Sequence, residues 1–266
     1  MNPPSPASAL RRRVLATVLI GALSACGGDD EGTVWNLVWE DEFEGPAGQS
    51  PDPDRWGFDI GTDWGNQQLE YDTDRPENAS LDGNGNLVIT AREESYMGRP
   101  YTSARMTTAG LFDQAYGKFE ARIRLPVGQG IWPAFWLLGS NIETVGWPQS
   151  GEIDIMEYRG QEPSVVLGTI HGPGYSAGNS LGTRYTLPNG RFDTGFHVFG
   201  IEWRDDEIRW YVDGEYFLRI TRAEVPSTWV FDHPVYIILN VAVGGTFVGP
   251  PNANTTFPQQ MTVDWV

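Results

Sequence analysis

Apolar and polar residues alternate along much of the chain, and this two-residue period predicts β-strands. In residues 117–125 charged side chains take every second position, so this strand has one face in water. Residues 208–212 and 215–220 flank the dipeptide Asp213-Gly214, a pattern typical of a β-hairpin with a two-residue turn. Further strands are predicted at residues 37–43, 87–91, 165–171, 198–203, 236–241 and 262–266.

No stretch of the chain shows a sustained helical period, and its 32 glycines and 19 prolines indicate many turns. A chain of 266 residues is large enough for one big all-β domain. The pattern therefore predicts an all-β fold in which two antiparallel sheets pack as a sandwich, with a single domain at residues 34–266.

The run Gly-Glu-Ile-Asp-Ile-Met-Glu-Tyr at residues 151–158 places three carboxylates in an otherwise apolar stretch. In a regular strand Glu152 and Asp154 face one side and Glu157 faces the other. A β-bulge near residues 155–156 would bring Glu157 onto the face of the other two. A solvated strand face is the simpler alternative, but acids so close together repel one another unless the protein uses them.

Glycoside hydrolysis uses such a set of acids. A retaining mechanism needs one ionised carboxylate as nucleophile and one protonated carboxylic acid that protonates the leaving oxygen. Neighbouring negative charge raises a carboxyl pKa, so two glutamates can hold different protonation states at one pH. Asp154 lies between the two glutamates in sequence and could position the nucleophile by a hydrogen bond. We therefore predict that Glu152, Asp154 and Glu157 are catalytic.

The same run resembles the bulged motif of glycoside hydrolase family 16, and the likeness extends over residues 34–266. Segments similar to the bacterial laminarinases of that family occur, in the family's order, at residues 35–43, 101–105, 130–139, 171–175, 210–214 and 240–245. The resemblance implies a jelly roll whose two curved antiparallel sheets form a concave substrate cleft. It also implies a retaining endo-hydrolase of β-1,3-glucan, with Glu152 as nucleophile and Glu157 as acid/base.

Other activities of the family stay open at this stage. They include hydrolysis of mixed-linkage β-1,3-1,4-glucan, of agar or of carrageenan, and glucan transfer. Met156, the extra residue of the bulge, argues against the plant-type xyloglucan enzymes, which lack it. A non-catalytic glucan-binding module is a further alternative, but such proteins lose one or more of the acids and this chain has all three.

The resemblance also indicates which other residues contact the glucan. Trp132 and Trp136 are an even number of positions apart, so both face one side of a strand, where the family holds aromatic rings against the sugar. For each polar candidate, a hydrogen bond that merely holds a loop is the open alternative. The further substrate-binding positions implied by the resemblance are Asn66, Glu70, Arg105 and Trp147.

His171 ends a predicted strand beside the acids, where it binds or orients a sugar hydroxyl or is structural. With three scattered histidines and one cysteine, no zinc or iron site is predicted, and no cofactor is needed for catalysis. The family resemblance implies instead a structural Ca²⁺ on the convex side, for which Glu42, Gly85 and Asp264 are the best matches. Val266 falls inside the last predicted strand, where family members usually continue for a few residues.

The net charge of -17 argues against nucleic acid and against an anionic membrane surface as partners. It argues more weakly against sulfated polysaccharides, whereas a neutral β-glucan carries no such penalty. The aromatic content of 12% suits stacking on sugar rings as well as core packing. We expect the protein to act on a neutral β-glucan as a monomer.

The N-terminus has the pattern of an export signal. Three arginines at residues 11–13 precede an apolar run at residues 14–22 that is too short to span a bilayer. The sequence Leu-Ser-Ala-Cys at residues 23–26 resembles a bacterial lipobox, in which Cys26 becomes the lipid-modified N-terminus; an ordinary signal peptide is the alternative.

We therefore predict a lipoprotein-type signal peptide at residues 1–26 and a flexible acidic tether at residues 27–33. Contact with a membrane would be through the lipid anchor only. Because Gly27 follows the cysteine, we expect an exported outer-membrane or cell-surface lipoprotein, with secretion as the alternative.

Overall fold

The computed structural model describes residues 34–266, and these residues form sixteen β-strands. Helix in this part of the chain is limited to the four-residue α1 (Ile142–Val145) and a 3₁₀ turn at Ala177–Asn179. The strands are β1 Gly57–Phe58, β2 Glu70–Asp72, β3 Ala79–Leu81, β4 Leu87–Tyr96, β5 Arg99–Ser103, β6 Arg105–Thr107, β7 Gly117–Arg124, β8 Ile131–Gly139, β9 Glu152–Tyr158, β10 Val165–His171, β11 Leu181–Thr186, β12 His197–Trp203, β13 Glu207–Val212, β14 Glu215–Thr221, β15 Val235–Val243 and β16 Gln259–Trp265.

The strands form two sheets, which confirms the predicted all-β class. One sheet has seven strands in the order β1-β6-β15-β8-β9-β10-β11, and the other has nine, in the order β14-β13-β12-β7-β16-β4-β5-β2 with β3 beside β4. Neighbouring strands are antiparallel except for β2 and β5, which run parallel. The acidic strand β9 lies between β8 and β10 in the seven-stranded sheet.

The core lies between the sheets and follows the predicted alternation. In β7, Phe119, Ala121 and Ile123 are buried while Lys118 is exposed. A hydrogen bond links the two sheets: the indole N–H of Trp210 in β13 donates to the main-chain oxygen of Asp154 in β9 at 2.8 Å. Because its indole fills the space above β10, a Cβ at Gly168 would lie 2.6 Å from the Trp210 ring. The nine-stranded sheet thereby supports the back of β9.

The predicted hairpin is present, with β13 and β14 joined by Asp213 and Gly214. Both turn residues have positive φ, 51° and 85°, as a type I′ turn requires. No helix within the described residues is long and apolar enough to span a bilayer. The predicted signal peptide, lipid-modified Cys26 and tether lie outside the described residues.

The strand predicted at residues 37–43 is wrong, because no regular ladder forms there. A strand needs a hydrogen-bonded neighbour, and here only Asp41 pairs with Val266, through two main-chain bonds of 3.0 and 3.1 Å. Leu37 and Val38 are correspondingly exposed. Burial does alternate over residues 38–43, but an alternating pattern does not reveal whether a partner strand exists.

Candidate active site

A β-bulge in β9 brings the three acids onto one face of the seven-stranded sheet. On β8, Trp136 pairs with Asp154 and Ala134 pairs with Glu157, so two steps on β8 oppose three steps on β9. The pairing of β9 with β10 shifts at the same place, between Thr169 and Leu167. The predicted bulge is therefore present.

The acids lie at the base of a cleft of about 640 Å³ on the outer face of this sheet. Side chains from β6, β8, β10 and β15 line it together with residues of several loops. Nine of the residues predicted to be catalytic or to bind substrate line this cleft: Asn66, Arg105, Trp132, Trp136, Trp147, Glu152, Asp154, Glu157 and His171.

Glu152 is held from two directions at the cleft surface. The indole N–H of Trp147, from the loop between β8 and β9, donates to its Oε2 at 2.9 Å. His171 Nε2, from β10, lies 3.7 Å from its Oε1. Burial and the neighbouring Asp154 raise the pKa of Glu152 to about 7, while His171, Trp147 and Arg105 act in the opposite direction.

Asp154 is almost fully buried, with 3% of its surface exposed. Burial raises its pKa to about 8, and a hydrogen bond with Glu152 opposes the rise. Two carboxyl groups in hydrogen-bond contact must share a proton, because two carboxylates have no donor between them. Asp154 and Glu152 therefore titrate as a pair.

Glu157 has a different partner. The indole N–H of Trp132, from β8, donates to its Oε1 at 3.1 Å. Burial raises the pKa of Glu157 well above its usual range, and the charges of Asp154 and Glu152 raise it further. Glu152 has compensating contacts from His171, Trp147 and Arg105, whereas Glu157 has those of His171 and Trp132. The two glutamates therefore lie in different electrostatic surroundings.

Trp136 and Arg105 form one wall of the cleft. Trp136 donates its indole N–H to Asn240 Oδ1 at 2.8 Å, and the Arg105 guanidinium lies 4.8 Å from the centre of its ring. Arg105 also pairs with Asp59 at 2.8 Å and contacts the ring of Trp64 at 5.0 Å. Arginine between two indoles is a rigid arrangement, since stacking and ion pairing restrain the same group.

The family model for glycosyl hydrolases family 16 matches residues 61–266. The chain belongs to this family. It is 44% identical over 272 residues to a β-glucanase of Rhodothermus marinus, covering 96% of this chain and 93% of that protein. Its fold is similar to the laminarinase catalytic domain of Thermotoga maritima, with a TM-score of 0.82 and 51% identity over 87% of this chain and 96% of that one. An endo-β-1,3-glucanase of Pyrococcus furiosus is similar to the same degree, with a TM-score of 0.82 and 47% identity over 87% and 92%.

One family 16 prediction needs correction. Glu70 does not line the cleft: it is 2% exposed, and its Oε2 accepts a hydrogen bond from the main-chain N–H of Val243 at 2.8 Å. Asp72, two residues on in β2, is equally buried and accepts a hydrogen bond from the Trp64 indole at 2.8 Å. Glu70 cannot reach a glucan, because β15 covers it. It fastens the start of β2 to the end of β15.

Trp64, Gln68 and Phe247 are among the cleft residues that the sequence analysis missed. Trp64 and Gln68 come from the loop before β2, and Phe247 follows β15 and packs on Trp132 with ring centres 4.9 Å apart. Gln68 is 6% exposed and its Oε1 has no hydrogen-bond partner. The only sequence signal for these residues was their position next to Asn66 or next to the family-like segment at residues 240–245. The sequence of a loop does not give the direction of its side chains.

The residues predicted to hold calcium lie around the first described segment. A Cβ built on Gly85 would be 3.7 Å from the main-chain oxygen of Glu42 and 3.8 Å from Glu44 Oε1. Burial raises the pKa of Glu42, and the negative charges around it, Asp264 among them, raise it further. The Asp264 carboxylate is paired with Arg122.

Proposed function

We propose that the protein is a retaining endo-hydrolase of β-1,3-glucan. The observation that carries the proposal is the bulged acidic strand at the base of the cleft, which brings Glu152, Asp154 and Glu157 onto one face. Family 16 membership and the laminarinases among the similar structures support the same substrate. A non-catalytic binding module is disfavoured, because it would have no use for three acids on one face, one of them buried.

In this mechanism Glu152 attacks the anomeric carbon and forms a covalent glycosyl-enzyme, while Glu157 donates its proton to the departing glycosidic oxygen. Glu157, now ionised, takes a proton from water, which displaces Glu152 from the sugar. Asp154 holds a proton against Glu152 and orients it. The wall formed by Trp132, Trp136, Trp147, Arg105 and Asn66 binds the glucan.

The roles of the two glutamates are tested with azide. Glu157→Ala should still form the glycosyl-enzyme from an activated aryl β-laminari-oligosaccharide, whose leaving group needs little protonation. Added azide should then restore the rate and give a β-glycosyl azide. Glu152→Ala should give an α-azide or none, and the exposed Glu143→Ala serves as the control with unchanged hydrolysis. Reversed azide stereochemistry would exchange the two roles, and full activity of both variants would reject the mechanism.

The linkage preference rests on the cleft loops. A non-specific endo-β-1,3(4)-glucanase is among the similar structures, at 38% identity, so mixed-linkage β-1,3-1,4-glucan is the second candidate substrate. Product profiles on laminarin, mixed-linkage glucan and sulfated galactans separate these possibilities. Products from laminarin alone support the first proposal, and equal rates on mixed-linkage glucan support the second.

We also propose a structural Ca²⁺ held by the main-chain oxygens of Glu42 and Gly85 and by the Asp264 carboxylate. The donors fit a hard cation, since all are oxygens and the surrounding acids concentrate negative charge. The Asp264 carboxylate is paired with the Arg122 guanidinium, so the bound Ca²⁺ would replace that guanidinium as its partner. The ion would stabilise the fold and take no part in hydrolysis.

Export is proposed on the sequence of residues 1–33 alone. Cys26 would carry the lipid of an outer-membrane or cell-surface lipoprotein, and the enzyme would work as a monomer. Labelling with a fatty-acid analogue tests the anchor, since Cys26→Ser should lose the label. Equal labelling of that variant would contradict the proposal.

A further inference from the structure

His171 lies between the acids and a loop that lines the cleft. Its side chain is 12% exposed, and its Nε2 lies 3.1 Å from Asp154 Oδ2. On the other side of the ring, the main-chain N–H of Ala177 donates to Nδ1 at 3.1 Å. A histidine in this position has contacts that decide which nitrogen carries the proton.

The contact with Ala177 fixes the tautomer. Because Nδ1 accepts a hydrogen bond, it carries no proton, and the neutral ring must carry its proton on Nε2. That N–H faces Asp154 Oδ2, a buried oxygen with no aligned hydrogen bond in the structure. A small rotation of the ring would complete the bond and satisfy an acceptor that is costly to leave unpaired.

The same contact disfavours a metal ion. Glu152, Asp154 and His171 place one ligand atom each within 4.8 Å of one another. A metal on Nε2 would require the proton on Nδ1, where it would meet the N–H of Ala177. A histidine that binds a metal needs an acceptor at its other nitrogen, and here it has a donor.

The loop that presents Ala177 is built to return over His171. Gly172 and Tyr175 exchange main-chain hydrogen bonds of 3.0 Å, and the buried Tyr175 hydroxyl donates to Thr228 O at 2.9 Å. A Cβ on Gly172 would lie 2.3 Å from that hydroxyl oxygen, so the close turn needs glycine. Ala177 follows with φ of 50°, an uncommon conformation for a residue with a side chain.

We propose that His171 is a positioning residue, whose Nε2–H tautomer is set by the Ala177 N–H and orients Asp154 for the nucleophile. Ala177 and Gly178 line the cleft, so the same loop contacts the space where the glucan lies. A glucan in the cleft therefore abuts the segment that sets the tautomer. The inference rests on the proposed glucan hydrolysis and adds a route from the cleft wall to the acids.

The test compares two amides that replace different nitrogens of the ring. His171→Gln places an N–H near the position of Nε2 and keeps a donor for Asp154. His171→Asn reaches only the position of Nδ1 and leaves Asp154 without its donor. We expect His171→Asn to lower kcat on laminarin by about 100-fold with little change in KM, because misplacement of a reacting group acts on kcat. His171→Gln should recover most of the activity.

The melting temperature is measured for each variant, so that a loss of kcat is separated from a loss of folded protein. The control is Asn179→Ala, an exposed change in the same loop outside the cleft lining, which should leave kcat unchanged. A raised KM with unchanged kcat in both His171 variants would overturn the proposal in favour of a sugar-binding histidine. Loss of kcat in His171→Gln equal to that in His171→Asn would also overturn it. If wild-type protein does not cleave laminarin, the proposed function fails by itself.

Discussion

Replacing Trp147 by phenylalanine should shift the pH dependence of hydrolysis without damaging the fold. The substitution keeps an aromatic ring in the cleft and deletes the N–H that donates to Glu152 Oε2 at 2.9 Å. A hydrogen bond to the ionised carboxylate favours that form and lowers its pKa. Its loss must therefore raise the pKa of Glu152 above its present value of about 7.

The size of the shift follows from the strength and the exposure of the bond. Hydrogen bonds to charged groups contribute about 1.5–3 kcal/mol. Trp147 is 46% exposed, so water screens the contact and the lower end of that range applies. A loss of about 1.4 kcal/mol corresponds to a pKa rise of about 1. On the acidic side of the profile, kcat/KM should therefore fall by about tenfold, and it should recover as pH rises.

The assay is the pH profile of kcat/KM on laminarin, whose acidic limb reports the ionisation of Glu152 in the free enzyme. Weaker sugar stacking by phenylalanine would lower kcat/KM at every pH and leave the limb where it was. Trp35→Phe, which changes an exposed tryptophan outside the cleft, is the matched control. An unmoved or acid-shifted limb in Trp147→Phe would refute the reasoning that this indole stabilises the ionised nucleophile.

Three further predictions concern stability and the cleft. Burial raises the pKa of Glu70 to about 8 and that of Asp72 to about 7, above their values in the unfolded chain, so the free energy of unfolding should fall as pH rises from about 4 to 8. Asp72→Asn should make this fall less steep when the free energy of unfolding is measured by urea titration at several pH values. An unchanged pH dependence in that variant would contradict the prediction. Trp132→Ala should cost about 3 kcal/mol of stability as well as glucan affinity, because the side chain is only 8% exposed; unchanged melting would show that it does not pack as described. A chelator should lower the melting temperature, because calcium bound to the folded state stabilises it, and the protein that stays folded should remain active. Immediate inactivation without unfolding would place a metal in the cleft.

The acids were predictable because their evidence is periodic. Side-chain direction alternates in a strand, so the extra residue between Asp154 and Glu157 could be counted from the sequence alone. The hairpin at Asp213 and Gly214 was predictable for a similar reason, since its turn type demands positive φ at both positions. In each case the information lies within a few neighbouring residues.

Glu70 shows what local pattern cannot provide. A strand pattern shows that the Glu70 side chain lies on one of the two faces of β2, but not whether that face is buried. Its burial depends on β15, which lies more than 160 residues later in the chain. The segment at 37–43 failed for the same reason, because a ladder depends on a distant partner. Phe247 was missed because it lies in a loop, where neither period applies. These errors all concern contacts between parts of the chain that are far apart in sequence.

The roles of the two glutamates also depend on distant contacts. Both are half-buried on one strand, and spacing alone would make them equivalent apart from order. Glu152 differs because Trp147 reaches it from the loop before β9 and His171 from the strand after, and both favour its ionised form. Glu157 has the indole of Trp132 but also receives the repulsion of two other acids. The motif therefore places the carboxyl groups together, and the surrounding strands and loops give the two glutamates different partners.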